Sequence, residues 1–180
     1  MRIISGKFRG KKIEAPTSLP VRPTTDTAKE GLFNWLNNRI DFEEIDVLDL
    51  FSGTGNISLE FLSRGAQHIT AVDKNADCMR FLVQTTQKMD IYNLKIFNLD
   101  VFVAIERLRE KFDVIFADPP YDFPKYQELL TNIWEKELLK EDGLLIIEHP
   151  KEVQFEHPQL INIRKYGKVH FSIFQNSNEI

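Results

Sequence analysis

Hydrophobic positions along this chain recur in two periods, and the alternation of those periods marks out its elements. Residues 1–14 hold short β-like runs broken by Gly6 and Gly10, which predicts a small hairpin. Pro16, Pro20 and Pro23 keep the next stretch extended and poor in helix. Thr27 and Glu30 then read as a capping box, with Thr27 as N-cap, followed by Ala28, Leu32, Trp35, Leu36 and Ile40 at helical spacing. From residue 45 strand and helix alternate. Strands are predicted over Ile45–Phe51, His68–Val72, Leu94–Leu99, Phe112–Ala117 and Leu144–Glu148. Between them, helices carry Ile57, Phe61 and Leu62, then run from about Asn75 to Met89, over Val101–Arg109, and from near Pro124 to about Leu139, where Gly143 punctuates. Leu160–Tyr166 and Lys168–Phe174 alternate around Gly167 as a terminal hairpin.

Five strand–helix units imply an α/β protein with a mostly parallel sheet covered on both faces. The terminal hairpin adds an antiparallel edge and brings the sheet to seven strands. With 180 residues, 42% of them hydrophobic, the chain reads as one compact unit over 26–180 with an N-terminal arm over 1–25. A chain of this size buries roughly 70% of its unfolded surface and needs no staples. The lone Cys78 cannot form an intramolecular disulfide, and no Cys/His spacing fits a zinc site, so no metal is expected. No apolar run approaches the ~20 residues of a membrane span. The opening residues lack a signal-peptide core, so a cytoplasmic protein is expected.

Charge changes this picture at one end. The chain carries 23 Lys and Arg against 27 Asp and Glu, which by itself points away from nucleic acid. Residues 1–25, however, hold Arg2, Lys7, Arg9, Lys11, Lys12 and Arg22 against the single acid Glu14. A basic arm on an acidic body is a pattern of polyanion binding, although a solvated extension has the same composition.

Two turns carry candidate chemistry. Asp49-Leu50-Phe51-Ser52-Gly53-Thr54-Gly55 lies where the first strand of the alternating region meets its helix, the place where open α/β sheets bind ligands. A dinucleotide fingerprint needs a third glycine where Ser58 stands, and a phosphate loop needs a Gly-Lys-Ser/Thr that is absent. Asp49 disfavours phosphate and suits a cationic amino group. Asp73, at the end of the next strand, stands where a carboxylate accepts hydrogen bonds from a ribose diol. The same turn also serves as a plain tight connection. The second turn is Asp118-Pro119-Pro120-Tyr121, at the end of the fourth strand. Its prolines remove two donors and stiffen the chain, leaving the Pro119 carbonyl and the Asp118 carboxylate as two fixed acceptors. Two acceptors match the two hydrogens of an exocyclic amine, and Tyr121 offers a face for base stacking.

This pair of turns resembles that of S-adenosylmethionine-dependent amino methyltransferases. With Arg2-Ile3-Ile4-Ser5-Gly6-Lys7-Phe8-Arg9-Gly10, Arg22-Pro23-Thr24-Thr25-Asp26, Glu30–Leu36 and Gly167-Lys168-Val169, the whole chain is similar to the bacterial 16S rRNA (guanine(966)-N(2))-methyltransferase family. The resemblance implies a Rossmann-like fold and S-adenosylmethionine as cofactor. Asp49, Phe51, Gly53 and Gly55 would hold its methionine part, Asp73 its ribose and Asp100 its adenine amine, while Asp100 also reads as a helix N-cap. Asp118, Pro119 and Tyr121 would hold the target base, and Lys7, Arg9, Arg22 and Thr25 the RNA. The partner implied is 16S rRNA, within a 30S subunit or an assembly intermediate, and the enzyme a monomer. One departure is visible: Thr27 and Lys29 stand where the family has a more basic stretch.

Other classes fit parts of the pattern. A DNA adenine-N6 methyltransferase uses the same proline turn, but nothing between the two turns is large enough for a sequence-reading domain. A non-catalytic RNA-binding assembly factor would not need every chemical position intact. An NAD oxidoreductase is disfavoured by Ser58 and by the proline turn.

Overall fold

The computed structural model describes residues 1–178. Its strands are β1 (Asp46–Leu50), β2 (His68–Val72), β3 (Leu94–Phe97), β4 (Phe112–Ala117), β5 (Leu139–His149), β6 (Leu160–Tyr166) and β7 (Val169–Gln175). Its helices are α1 (Asp26–Asn37), α2 (Asn56–Ser63), α3 (Ala76–Lys88), α4 (Val101–Arg107) and α5 (Tyr126–Glu135). One sheet runs in the order β3-β2-β1-β4-β5-β7-β6. β1 to β5 are parallel, and β7 pairs antiparallel with both β5 and β6. Strand order reverses between β1 and β4, so the carboxyl ends of those two strands border the crevice where such sheets bind ligands.

Side chains on the central strands alternate between two cores. Val47, Phe116, Ile146 and Phe171 pack under α1, α2 and α3, while Leu48, Leu50, Ile115 and Ile147 pack under α4 and α5. Asp49 therefore points to the first face, at a position where the period-2 pattern otherwise places an apolar residue.

The N-terminal hairpin reduces to one antiparallel bridge, Arg2 to Lys12, plus a few backbone bonds. It is fastened to α2. Glu60 accepts hydrogen bonds from Ile4 N (2.9 Å) and Ser5 N (3.1 Å), and Ser63 Oγ accepts one from Phe8 N (2.9 Å). The approach is close enough that a Cβ on Gly6, at φ +86°, would collide with the Ser63 carbonyl. Lys29 is buried in the same joint. Its ammonium donates to Arg2 O (2.6 Å) and Asn56 Oδ1 (2.8 Å) and pairs with Glu60 (3.3 Å).

Two boundaries differ from the sequence reading. Helix α1 is capped by Thr25, whose Oγ1 accepts from Ala28 N at 3.2 Å, so Thr27 lies inside the helix and no capping box forms. Thr24, Thr25, Asp26 and Thr27 are adjacent residues of which all can cap. The choice falls to Thr25 because Thr24 is already fixed from both sides, by Glu148 and Asn56. Near the other end of the chain, α5 stops at Glu135, four residues before the expected Leu139, and Leu139 opens β5 five residues before the expected Leu144. Leu138 and Leu139 bury their side chains instead, and Phe112 N donates to Leu138 O. Gly143 then sits at an irregularity in β5, where the register on β4 jumps from Phe112↔Leu139 to Val114↔Leu144. Among the described residues, no helix is long and apolar enough to cross a membrane.

Candidate active site

The glycine turn leaves β1 through Phe51, which takes a left-handed φ of 59°. Such backbone in a bulky residue costs on the order of 1–3 kcal/mol and persists only where its surroundings enforce it. Here the Phe51 ring meets Phe123 edge-on at 5.3 Å. Gly53 and Gly55 follow at φ 54° and 89°. A Cβ on Gly55 would collide with Leu82, so this glycine lets α3 close on the turn. Gly53 faces Val21 of the extended N-terminal segment.

Acids fix the turn from beneath. Asp73 accepts from Gly53 N (2.9 Å) and Asn75 N (2.8 Å), so it joins the ends of β1 and β2 and holds Asn75, the N-cap of α3. Asp49 is 1% exposed. Its Oδ2 accepts from both Ser58 N (3.1 Å) and Ser58 Oγ (2.6 Å), and Oδ1 has no protein donor among the described residues. Burial pushes the Asp49 carboxyl up to about 7, against the Ser58 bonds that favour its charge. Ser52 Oγ, in the same turn, is the buried side-chain oxygen without a hydrogen-bond partner among the described residues. An unpartnered hydroxyl and a half-used carboxylate beside a glycine turn fit a ligand that brings an amino group and hydroxyls. They fit the cofactor the sequence resemblance implies. Asp100 caps α4, its Oδ1 accepting from Phe102 N at 2.9 Å, and Oδ2 stays open at the surface.

The proline turn borders this one. Asp118 N donates to Leu50 O at 3.3 Å, which ties the start of the turn to the end of β1. The Asp118 carboxyl takes no protein hydrogen bond among the described residues. Burial, then the charge of Glu148, then that of Asp49 raise it well above the ordinary carboxylate range. Pro120 O accepts from Phe123 N, whereas Pro119 O accepts none among the described residues. Tyr121 stands 79% exposed at the rim.

Sequence reasoning passed over Glu148. It continues the register in which Ala117 pairs with Ile147, so it stands beside Asp118 on the same face of the sheet. Adjacent strands lie about 4.8 Å apart. Thr24 Oγ1 donates to Glu148 Oε2 at 2.7 Å, and burial pushes this carboxyl up to about 7. Tyr126 is buried nearby, and its phenol is raised by burial and then by Asp118 and Glu148. The signal was an acid at the carboxyl end of an apolar strand, as at Asp118.

The structure thus brings Asp49, Phe51, Gly53, Gly55, Asp73, Asp118, Pro119 and Tyr121 to one edge of the sheet. It does not bring Lys7 and Arg9 there. Both are exposed on the hairpin turn, against the far end of α2, an eight-residue helix about 12 Å long. Arg22 is exposed one residue from Val21, close to the glycine turn. Thr25 uses its hydroxyl on the α1 cap.

Residues 1–175 match the family described as Conserved hypothetical protein 95. YlbH of Bacillus subtilis (strain 168) is 33% identical, over 97% of this chain and 98% of its own length. A Haemophilus influenzae protein named Ribosomal RNA small subunit methyltransferase D is 32% identical, over 98% of this chain and 94% of its own. The solved structure of yhhF from Escherichia coli has a TM-score of 0.88 at 26% identity and covers 99% of each chain.

Proposed function

The chain belongs to the Conserved hypothetical protein 95 family, and from that premise we propose that it methylates ribosomal RNA at the exocyclic N2 amine of a guanine, guanine 966 of 16S rRNA. Its cofactor is S-adenosylmethionine, which suits the hydrogen-bonding groups left open at the glycine turn, and the Haemophilus relative is named a methyltransferase. Asp49 and the turn through Phe51, Gly53 and Gly55 hold the amino-acid end, Asp73 the ribose and Asp100 the adenine amine. When bound, the cofactor supplies an electrophilic methyl group on a sulfonium sulfur.

The observation that carries the reading is a pair of unused acceptors, the Asp118 carboxyl and the Pro119 carbonyl, held by a stiff turn next to that cofactor bed. The lone pair of a guanine amine is delocalised into its ring. Hydrogen bonds from both amine hydrogens to Asp118 and Pro119 O draw the nitrogen toward a tetrahedral shape and aim its lone pair at the glycine turn. Alignment of this kind lowers barriers by up to ~7–11 kcal/mol. Asp118, whose proton affinity is raised, takes the proton the amine gives up. Tyr121 stacks on the base, which has to leave its helix to reach the turn.

RNA runs from this edge past Arg22, Arg2 and Lys12 toward Lys7 and Arg9, so that residues 1–25 form the contact arm and 26–180 the catalytic unit. The enzyme acts as a monomer. The substrate is the small-subunit RNA in a 30S particle or assembly intermediate, in the cytoplasm. The test is incubation with methyl-labelled S-adenosylmethionine and either 30S particles or bare 16S RNA, followed by nucleoside mapping. Label in N2-methylguanosine at position 966 is the expected result; label in another nucleoside, or none, overturns the assignment.

A further inference from the structure

Three carboxyls form a row across the sheet at its carboxyl edge: Asp49 on β1, Asp118 after β4 and Glu148 on β5, all on the face that carries α1 and α2. The reading above uses the first two. Glu148 is anchored from outside the sheet, through Thr24 of the extended segment, and only its Oε2 takes that bond. Oε1 has no protein donor among the described residues, and the residue keeps partial exposure at the edge where the base enters. Asn56 Nδ2 donates to Thr24 O at 3.2 Å, so α2 and the N-terminal segment together fix the hydroxyl that orients Glu148. A partly exposed carboxyl held in place through one oxygen keeps the other free to meet a donor that enters from outside.

We propose that Glu148 determines which base is accepted, by taking a hydrogen bond from the ring N–H next to the reacting amine. This rests on the reading of the Asp118 turn as an amine site. Guanine presents three hydrogens there, one on N1 and two on N2. The edge presents three acceptors: Glu148 Oε1, the Asp118 carboxyl and Pro119 O. Adenine presents two amine hydrogens and, in place of the third, a ring nitrogen lone pair. Against Glu148 that lone pair meets another lone pair, so adenine is refused by repulsion as well as by a missing bond. Burial raises the proton affinity of Glu148 and Asp118 together, the state expected of two acids that wait for donors from the same ligand.

The experiment compares single-turnover methylation of small-subunit RNA that carries guanine or 2-aminopurine at the target position. 2-Aminopurine keeps the N2 amine and replaces the N1 hydrogen with a lone pair. Wild type should favour guanine by at least ~10-fold, the size of one hydrogen bond to a charged group. In Glu148→Gln the amide oxygen still accepts from Thr24, and its NH2 then meets the N1 lone pair of 2-aminopurine but opposes the N1–H of guanine, so the preference for guanine should be lost or reversed. Cofactor affinity, measured by calorimetry, should stay unchanged and reports on folding. If that variant does not bind cofactor, Thr24→Val replaces it in the same comparison and should reduce the preference. A wild-type preference retained in the variant overturns the role of Glu148 and leaves the amine site standing. No transfer to guanine RNA by wild type overturns the amine site itself, and this proposal with it.

Discussion

Asp49 shows what a single residue gives up for a site. It occupies an inward position on a central strand, where an apolar side chain would add to the core, and its buried carboxyl is pushed up to about 7. An ordinary aspartate lies near 3.9. The folded state therefore holds this proton more tightly than the unfolded chain. The associated stability is complete below about pH 4 and is lost as pH rises through 7, to a total of ~4 kcal/mol at 1.36 kcal/mol per unit. Asp118 and Glu148 are raised in the same direction and steepen the loss. Asp49→Asn should melt at a higher temperature than wild type at pH 8, differ less at pH 5, and bind S-adenosylmethionine at least tenfold more weakly. Thermal scans at the two pH values and calorimetry check this, and equal pH slopes for the two proteins would count against it. At the proline turn, Asp118→Ala should keep cofactor affinity and lose about 10²-fold in single-turnover rate, the usual cost of one preorganised polar group at a reacting centre. Tyr121→Ala should lose ~1–3 kcal/mol of stacking. Tyr121→Phe should lose much less, because stacking uses the ring face and not the hydroxyl.

Between elements, the telling joint is the one that holds the hairpin to α2. Glu60 is fully buried and is met by Lys29, by Arg64 Nε at 3.0 Å and by two backbone N–H groups of the hairpin. A buried pair need not stabilise a protein relative to apolar residues, but loss of one partner strands the others, typically at ~3–5 kcal/mol. Glu60→Ala should therefore destabilise the whole chain by about that amount in denaturant unfolding. Gly6→Ala breaks the joint more locally, since its Cβ has no room against Ser63. The expected result is an N-terminal segment that trypsin cuts faster while S-adenosylmethionine affinity holds. Equal cleavage of both proteins would mean that the hairpin is not held by this contact. The joint also accounts for Lys29: its ammonium is consumed inside the protein, so it contributes no charge to an RNA-facing surface.

Over the whole molecule, charge divides the surface by task. Residues 1–25 carry six bases and one acid, while the remainder carries more acids than bases. The fold extends the basic segment from the edge of the site, at Arg22, along α2 to Lys7 and Arg9. Neutralising Lys7, Arg9 and Arg22 together should weaken RNA binding and lower the salt slope by roughly 2, at ~0.7 per single-strand phosphate contact. Methylation of a short fragment that ends at the target base should respond less than that of the intact RNA. A salt slope equal to that of wild type would show that the arm touches no phosphate.

Local pattern was enough for the sheet. Apolar runs that stop at the Ser52-Gly53 turn, at Asp73 and at Asp118 marked strands and placed their carboxyl ends, because a strand buried on both faces leaves a continuous apolar signature. The glycine turn and the proline turn were legible for the same reason, as residues whose backbone needs or donor losses make sense only in a turn. Contacts between distant segments were not legible. Which of four cap-capable residues begins α1, whether Leu139 joins a helix or a strand, and whether Lys29 faces RNA or Glu60 were each decided by a partner far along the chain. Glu148 belongs with these. Its neighbour Asp118 lies 30 positions away and its anchor Thr24 lies 124 positions away, and only the pairing of β4 with β5 and the return of the N-terminal segment over the sheet bring the three together.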